Sequence, residues 1–273
     1  MGGSGECDVS APPLNVLSLF AGVGGMELGL ERAGMTTAAQ VEIDPYCQRV
    51  LARHWPEVPR HDDILTFPDW WIFGNYPKGR PHVDVVCAGF PCQPFSLAGK
   101  QLGTNDERWM WPATAAAIRT VRPAYVLLEN VSALVRDSVA FGAVLGDLHT
   151  LGFDAEWATL RASDFGAPTP RERIKLLAYP ARLNGVTRHR LGQGRDGESP
   201  IAARGLRGLA LAEKRQAANQ WLAAEPRVDR LVDGVPDQSH RLRVAGNAVV
   251  PAVTEHIGRL IVEDAAWRTE AVA

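Results

Sequence analysis

Apolar and polar positions alternate between two kinds of segment along this chain. Short apolar runs at residues 15–20, 37–41, 83–88, 124–128, 155–161 and 174–179 have the length and β-branched content of buried strands. Longer stretches with helical spacing fall between them, at residues 26–33, 45–55, 111–122 and 141–151, with a last one from Pro251 to about Val262. Gly34 ends the first helix, and residues 61–64 close a third short unit after the second. Strand and helix in alternation predict an α/β domain built on a mostly parallel, twisted sheet with helices on both faces.

Two places break the pattern in a way that carries chemistry. The first strand turns sharply through Ala21-Gly-Val-Gly-Gly25 into its helix, the opening of a nucleotide-binding unit. A dinucleotide fingerprint needs a third glycine at position 27, where Glu27 stands, so NAD is not favoured. Glu42 lies about twenty residues after the turn, where such folds place the acid that binds ribose hydroxyls. An exposed carboxylate at a strand end is the plain alternative. The second break follows the strand at 83–88, where Gly89-Phe-Pro-Cys-Gln-Pro94 holds Cys92 between two prolines. A lone cysteine is more often a small buried hydrophobe. Placed just past the C-terminal end of a buried strand, where open α/β sheets collect their ligands, it suits a nucleophile.

The remaining segments are less regular. Residues 67–78 hold Phe67, Trp70, Trp71, Phe73 and Tyr76 among prolines and glycines. These rings could stack bases, but a hydrophobic lid is the favoured reading. Residues 99–108 are polar and glycine-bearing, as expected of a mobile loop.

Composition narrows the classes. The chain has 273 residues, 46% hydrophobic and 22% charged, with a formal net charge of -2, an ordinary globular balance with no global basic signature. Charge is uneven, however. Residues 180–240 carry ten Lys or Arg against seven Asp or Glu, about +3, which leaves about -5 elsewhere. No apolar run approaches the roughly 18 residues of a membrane span. The start lacks a basic segment followed by an apolar one and reads as a flexible tail. Cys7, Cys47, Cys87 and Cys92 show neither metal-ligand spacing nor a disulfide framework, which fits a reducing compartment.

Taken in order, Phe20-Ala-Gly-Val-Gly-Gly25, Glu42, Asp63-Ile64, Gly89-Phe-Pro-Cys-Gln93, Glu129-Asn-Val131, Arg171-Glu-Arg173 and Gly246-Asn-Ala-Val-Val-Pro251 resemble the motifs of the DNA (cytosine-5)-methyltransferases. The resemblance covers residues 14–179 and 242–261. It implies a Rossmann-like S-adenosylmethionine-dependent methyltransferase domain with a small, irregular target-recognition region. The expected division is a tail at 1–13, a catalytic domain at 14–179, target recognition at 180–240, and a segment at 241–273 that completes the catalytic domain.

By the same resemblance Cys92 is the nucleophile. Carbon 5 of cytosine attacks a methyl sulfonium only once a thiolate has added at carbon 6. Glu129 corresponds to the residue that protonates nitrogen 3, and Arg173, with Arg171 beside it, to the arginine that holds the base's carbonyl oxygen. Phe20, Ala21, Gly22, Gly24, Gly25, Glu42, Ile43, Asp63, Ile64, Pro91, Asn247 and Ala248 are the implied S-adenosylmethionine contacts, with S-adenosylhomocysteine as product and no metal. Phe20 would stack on adenine, Glu42 hold the ribose, and Asp63 meet the adenine edge. Gln93, Ser96 and Arg108 are the implied contacts to double-stranded DNA, and the basic stretch 180–240 adds Arg188 and Arg190 as candidates. The target base would be flipped out of its stack, with residues 96–108 closing over it. The implied setting is a monomer in the cytoplasm of a bacterium, encoded by host or phage, in a restriction–modification system, with no membrane partner.

The sequence departs from the pattern at Thr169, where the family has Gln, at Trp109, where it has Gly, and at 225–231, ahead of Gly246. Two alternatives stand beside this reading. A tRNA cytosine-5 methyltransferase would share the domain, but the Cys-Phe-Thr tripeptide of those relatives is absent. An inactive DNA-binding relative is disfavoured by retention of Cys92, Glu129 and Arg173.

Overall fold

Seven strands form one sheet in the order β3-β2-β1-β4-β5-β7-β6. They are β1 (Asn15–Leu19), β2 (Thr36–Val41), β3 (Arg60–His61), β4 (Val85–Ala88), β5 (Tyr125–Asn130), β6 (Phe153–Arg161) and β7 (Glu172–Pro180). The first five pair in parallel, and β7 inserts antiparallel between β5 and β6. The expected α/β class and mostly parallel sheet are therefore observed. The computed structural model describes residues 12–76, 78–91, 109–167, 171–181, 200–201, 204–206 and 249–272.

Side-chain alternation along the strands divides the core into two layers. Leu17, Leu19, Val86, Ala88, Val126 and Leu128 point to one face. There they meet α3 (Phe67–Phe73), α4 (Trp111–Val121) and α6 (Ser138–Thr150) through Phe67, Trp111, Ile118 and Val144. Val16, Val85, Cys87, Tyr125 and Leu127 point to the other. That face is covered by α1 (Gly25–Arg32) and α7 (Pro251–Val272) through Met26, Leu30, Ile257 and Ile261. Burial on both faces is why these strands read as continuous apolar runs. Ile201 and Leu206, from the stretch expected to recognise the target, also belong to this second layer.

Local signals set the helix ends. Asp44 accepts from the amides of Tyr46 and Cys47 and so caps α2 (Pro45–His54). Asp137 caps α6 in the same way, just after the short α5 (Ala133–Arg136). Gly34, in the left-handed region at φ 93°, closes α1 as Gly34 N donates to Glu31 O and Met35 N to Leu30 O. Helices α1 and α7 touch through small residues: a Cβ on Gly29 would lie 2.5 Å from Pro251 O, and one on Gly258 2.7 Å from Ala33 Cβ.

Three expectations need correction. Residues 67–73 are a helix, and Phe67 and Trp71 are core residues with Trp70 and Tyr76 packed against them. This accounts for four of the five rings without a lid, and only Phe73 stands out into solvent, 80% exposed. Strand β5 runs on through Glu129 and Asn130 instead of ending at Leu128. Helix α7 continues ten residues past Val262, because Asp264, fully buried, accepts from Tyr125 Oη at 2.9 Å and from Arg268 Nε at 2.5 Å. The expected loop at 99–108 lies outside the described residues.

Candidate active site

The C-terminal ends of β1, β2, β4 and β5 open into a cavity of about 380 Å³. Parallel strands leave their carboxyl ends on one edge, and the crevice outside that edge is where such sheets bind ligands. Phe20, Ala21, Gly22 and Gly25 line it from the turn after β1, and Glu42 and Ile43 from the end of β2. Phe90 and Pro91 follow β4, and Glu129 and Asn130 end β5. Because β7 is antiparallel, its beginning reaches the same edge and supplies Arg171 and Arg173. Val249 returns from the far end of the chain, its carbonyl oxygen 2.5 Å from where a Cβ on Gly25 would lie. Only glycine leaves room there.

The turn is held by the acid expected at the ribose. Glu42 is 9% exposed; its Oε2 accepts from Gly22 N at 2.6 Å and its Oε1 from Asp44 N at 2.7 Å. Each oxygen keeps a second lone pair for a ligand hydroxyl. Phe20 adopts φ 55°, a left-handed conformation that costs a non-glycine residue roughly 1–3 kcal/mol and recurs at binding sites.

At the opposite wall Arg173 Nε lies 3.4 Å from Glu129 Oε1. Burial lowers the pKa of the Arg171 guanidinium, with Arg173 adding to the effect and Glu129 opposing it. Asn130, buried, donates to Phe90 O at 3.1 Å and accepts from Val131 N at 2.9 Å. It ties the end of β5 to the turn that leads into Cys92. Cys47 also lines the cavity, but burial, then Glu42 and Asp44, push its thiol up to about 12. Cys87 is fully buried with its thiol likewise raised. Neither has the thiolate character of a nucleophile.

Not every expected residue meets at the cavity. Asp63 Oδ1 accepts from Leu65 N at 2.9 Å, Ile64 is a core residue, and Gly24 packs against Trp55; none of the three lines it. Cys92, Gln93, Ser96, Arg108, Arg188, Arg190, Asn247 and Ala248 lie outside the described residues. Sequence reasoning passed over Asn130 as a site residue and missed Lys175, which β7 places opposite Glu129. The signal for Lys175 was present: one lysine inside the apolar run Ile174 to Ala178. Among the described residues no group of three or more His, Cys, Asp or Glu side chains is placed to hold a metal ion, and no helix is long and apolar enough to cross a membrane.

The family model of the C-5 cytosine-specific DNA methylases matches residues 14–217. The chain belongs to this family. Within the C-5 cytosine-specific DNA methylases it is similar to the Type II methyltransferase M.NgoBI of Neisseria gonorrhoeae, 37% identical over 166 residues, 60% of this chain and 50% of that one. It is also similar to M.NaeI of Lentzea aerocolonigenes, 32% identical over 214 residues, 77% of this chain and 50% of that one. The chain thus spans about half the length of these relatives. The solved structure of the Entamoeba histolytica methyltransferase EhMeth shares the fold, with a TM-score of 0.60 at 14% identity over 93% of this chain and 99% of that one.

Proposed function

We propose that this chain transfers a methyl group from S-adenosylmethionine to carbon 5 of a cytosine flipped out of double-stranded DNA. The observation that carries the reading is the Glu129–Arg173 pair, which shares one cavity with Phe20, Glu42 and Pro91. Cofactor and base must meet for transfer, and this cavity has a wall for each.

The cofactor side fits. A volume of about 380 Å³ is in the range of small-molecule sites. Phe20 would stack on the adenine, Glu42 would accept from the ribose hydroxyls, and the close turn at Gly22 and Gly25 would admit the methionine end. Asp63, Ile64, Gly24, Asn247 and Ala248 would complete that shell. Bound there, the cofactor supplies an electrophilic methyl group.

On the base side Cys92, which follows Pro91 directly, would add through its sulfur to carbon 6. Glu129, protonated once the base has closed over it, would give nitrogen 3 that proton as electrons move into the ring, leaving carbon 5 nucleophilic. After methyl transfer, loss of the carbon-5 proton to a base or water would expel the Cys92 sulfur and restore the ring. Arg173, with Arg171 lining the same cavity, would bind the carbonyl oxygen where charge gathers. Arg173 is paired with Glu129, and arrival of the base would exchange that pairing for two contacts to the ring. Gln93, Ser96, Arg108, Arg188 and Arg190 would meet the DNA. The two parts at 14–179 and 241–273 would form the catalytic body and 180–240 the target reader, as a monomer in the bacterial cytoplasm.

The test is transfer of labelled methyl groups to duplex DNA, with tRNA as competitor. Transfer to DNA is expected, lost in Cys92→Ala, with a covalent adduct on DNA containing 5-fluorocytosine. Preferential labelling of tRNA, or full transfer by Cys92→Ala, would overturn the reading.

A further inference from the structure

Lys175 is the one cation sealed into this sheet among the described residues. It lies between Ile174 and Leu176 on β7, is 2% exposed, and its Nζ has no hydrogen-bond partner. Taking an ammonium out of water is costly unless something repays it. Packing does not require it, since a methionine fills similar space. Its surroundings are specific. Glu129 is its partner across the ladder, and such pairs bring Cβ atoms about 4.5–5.5 Å apart. Arg173, two residues earlier and so on the same face, holds Glu129 Oε1 at 3.4 Å. On the other side β6 offers only Ala158, and β4 offers Cys87 as a further titratable neighbour.

We propose that Lys175 is a positioning residue for methyl transfer: its buried ammonium stabilises the Glu129 carboxylate left behind when nitrogen 3 of cytosine takes the proton. The inference rests on the reading of Glu129 as that proton donor. Arg173 cannot fill the role alone, because in the same reading it turns to the base's carbonyl oxygen. Lys175, locked behind the ladder, has no such second partner. A nearby opposite charge favours the ionised form of an acid, so once Glu129 carries its proton in the closed complex, Lys175 makes it the stronger donor.

The charge can be read out by pH. Burial lowers Lys175 to about 8, with Arg171 and Arg173 adding to the effect, and Glu129 and Cys87 opposing it. The ammonium is therefore present at neutral pH and lost in mildly alkaline solution. The experiment compares single-turnover methyl transfer from pH 6 to 10 in the wild type, Lys175→Met and Lys175→Arg, at saturating DNA and S-adenosylmethionine. Melting temperature and both affinities are measured alongside.

Lys175→Met is expected to fold with undiminished stability and to bind both ligands normally. It should be slower by about tenfold near neutrality, the effect of one unit in proton affinity. The wild-type rate should step down near pH 8 toward that of Lys175→Met, which shows no step there. Lys175→Arg should recover most of the rate if it folds; if it does not, Lys175→Met decides. A Lys175→Met rate and pH profile equal to the wild type would overturn the proposal, as would equal slowing at every pH with weakened cofactor binding. Glu129→Gln separates the two levels. If it transfers at the wild-type rate, the donor reading itself fails; if it is slow while Lys175→Met is unaltered, only the role of Lys175 fails.

Discussion

Glu42 holds Gly22: the carboxylate at the end of β2 accepts the amide of the glycine turn at 2.6 Å while its other oxygen accepts from Asp44 N. One side chain thus sets the shape of this wall of the cavity. Glu42→Ala is expected to lose cofactor affinity and also to destabilise the apo protein. Each charge-assisted bond is worth roughly 1.5–3 kcal/mol, so losing both should cost about 3–6 kcal/mol. Glu42→Gln keeps one acceptor oxygen and should lie between. Calorimetry with S-adenosylmethionine and a denaturation curve measure the two effects, and unchanged cofactor affinity in both variants would place the ribose elsewhere.

Glu129→Gln keeps the shape of the side chain and an acceptor for Arg173 but cannot act as a comparable acid. Single-turnover transfer should slow by about 10²–10⁴, with DNA affinity little changed. A rate within a few-fold of the wild type would give Glu129 a purely structural task.

Glu27 predicts a pH dependence of stability. It is fully buried in the first turn of α1 and accepts from Gln40 Nε2 at 3.3 Å. Burial raises its carboxyl from 4.5 to about 7. The folded protein therefore binds this proton more tightly than the unfolded chain. Its stabilising contribution is complete below pH 4.5 and is lost as pH rises through about 7. Glu27→Gln has no charge to bury and should be more stable than the wild type at pH 8, by roughly 2–3 kcal/mol, with little difference at pH 4.5. Equal melting temperatures at pH 8 would contradict this.

The proposed DNA contacts make a separate prediction. Arg188→Ala with Arg190→Ala should weaken DNA binding and lower the salt slope by about one for each phosphate no longer neutralised. Arg204, in the same basic stretch, instead pairs with Glu263 of α7 at 2.9 Å. Its replacement by Ala should leave the salt slope unchanged. A slope unaltered in the first variant would move the DNA interface away from 188–190.

The residues that line the cavity were legible because chemistry narrows their type: an acid at a strand end, a glycine where backbone must pass, an acid and an arginine side by side. What packing decides was less legible. Residues 67–78 read as irregular because of their prolines and glycines, yet Pro68 sits in the first turn of α3, where no amide hydrogen is needed. The helical pattern was read only to about Val262, just short of Asp264. Asp264 is buried there because Tyr125 meets it, a partner 139 residues away that no local pattern announces. Lys175 was visible as an oddity, but its meaning depends on the register that sets it against Glu129.

The close approach of α1 to α7, glycine against backbone at Gly29, orders events during synthesis. Helix α1 leaves the ribosome early, yet the surface that seals Met26 and Leu30 is made only after Pro251. At about 5–20 residues per second the wait is on the order of ten to forty seconds. Through that interval the nascent chain carries an open apolar face. A truncation or stalled translation before α7 would therefore produce a half-covered sheet for chaperones and proteases to handle, and not merely a protein short of its last helix.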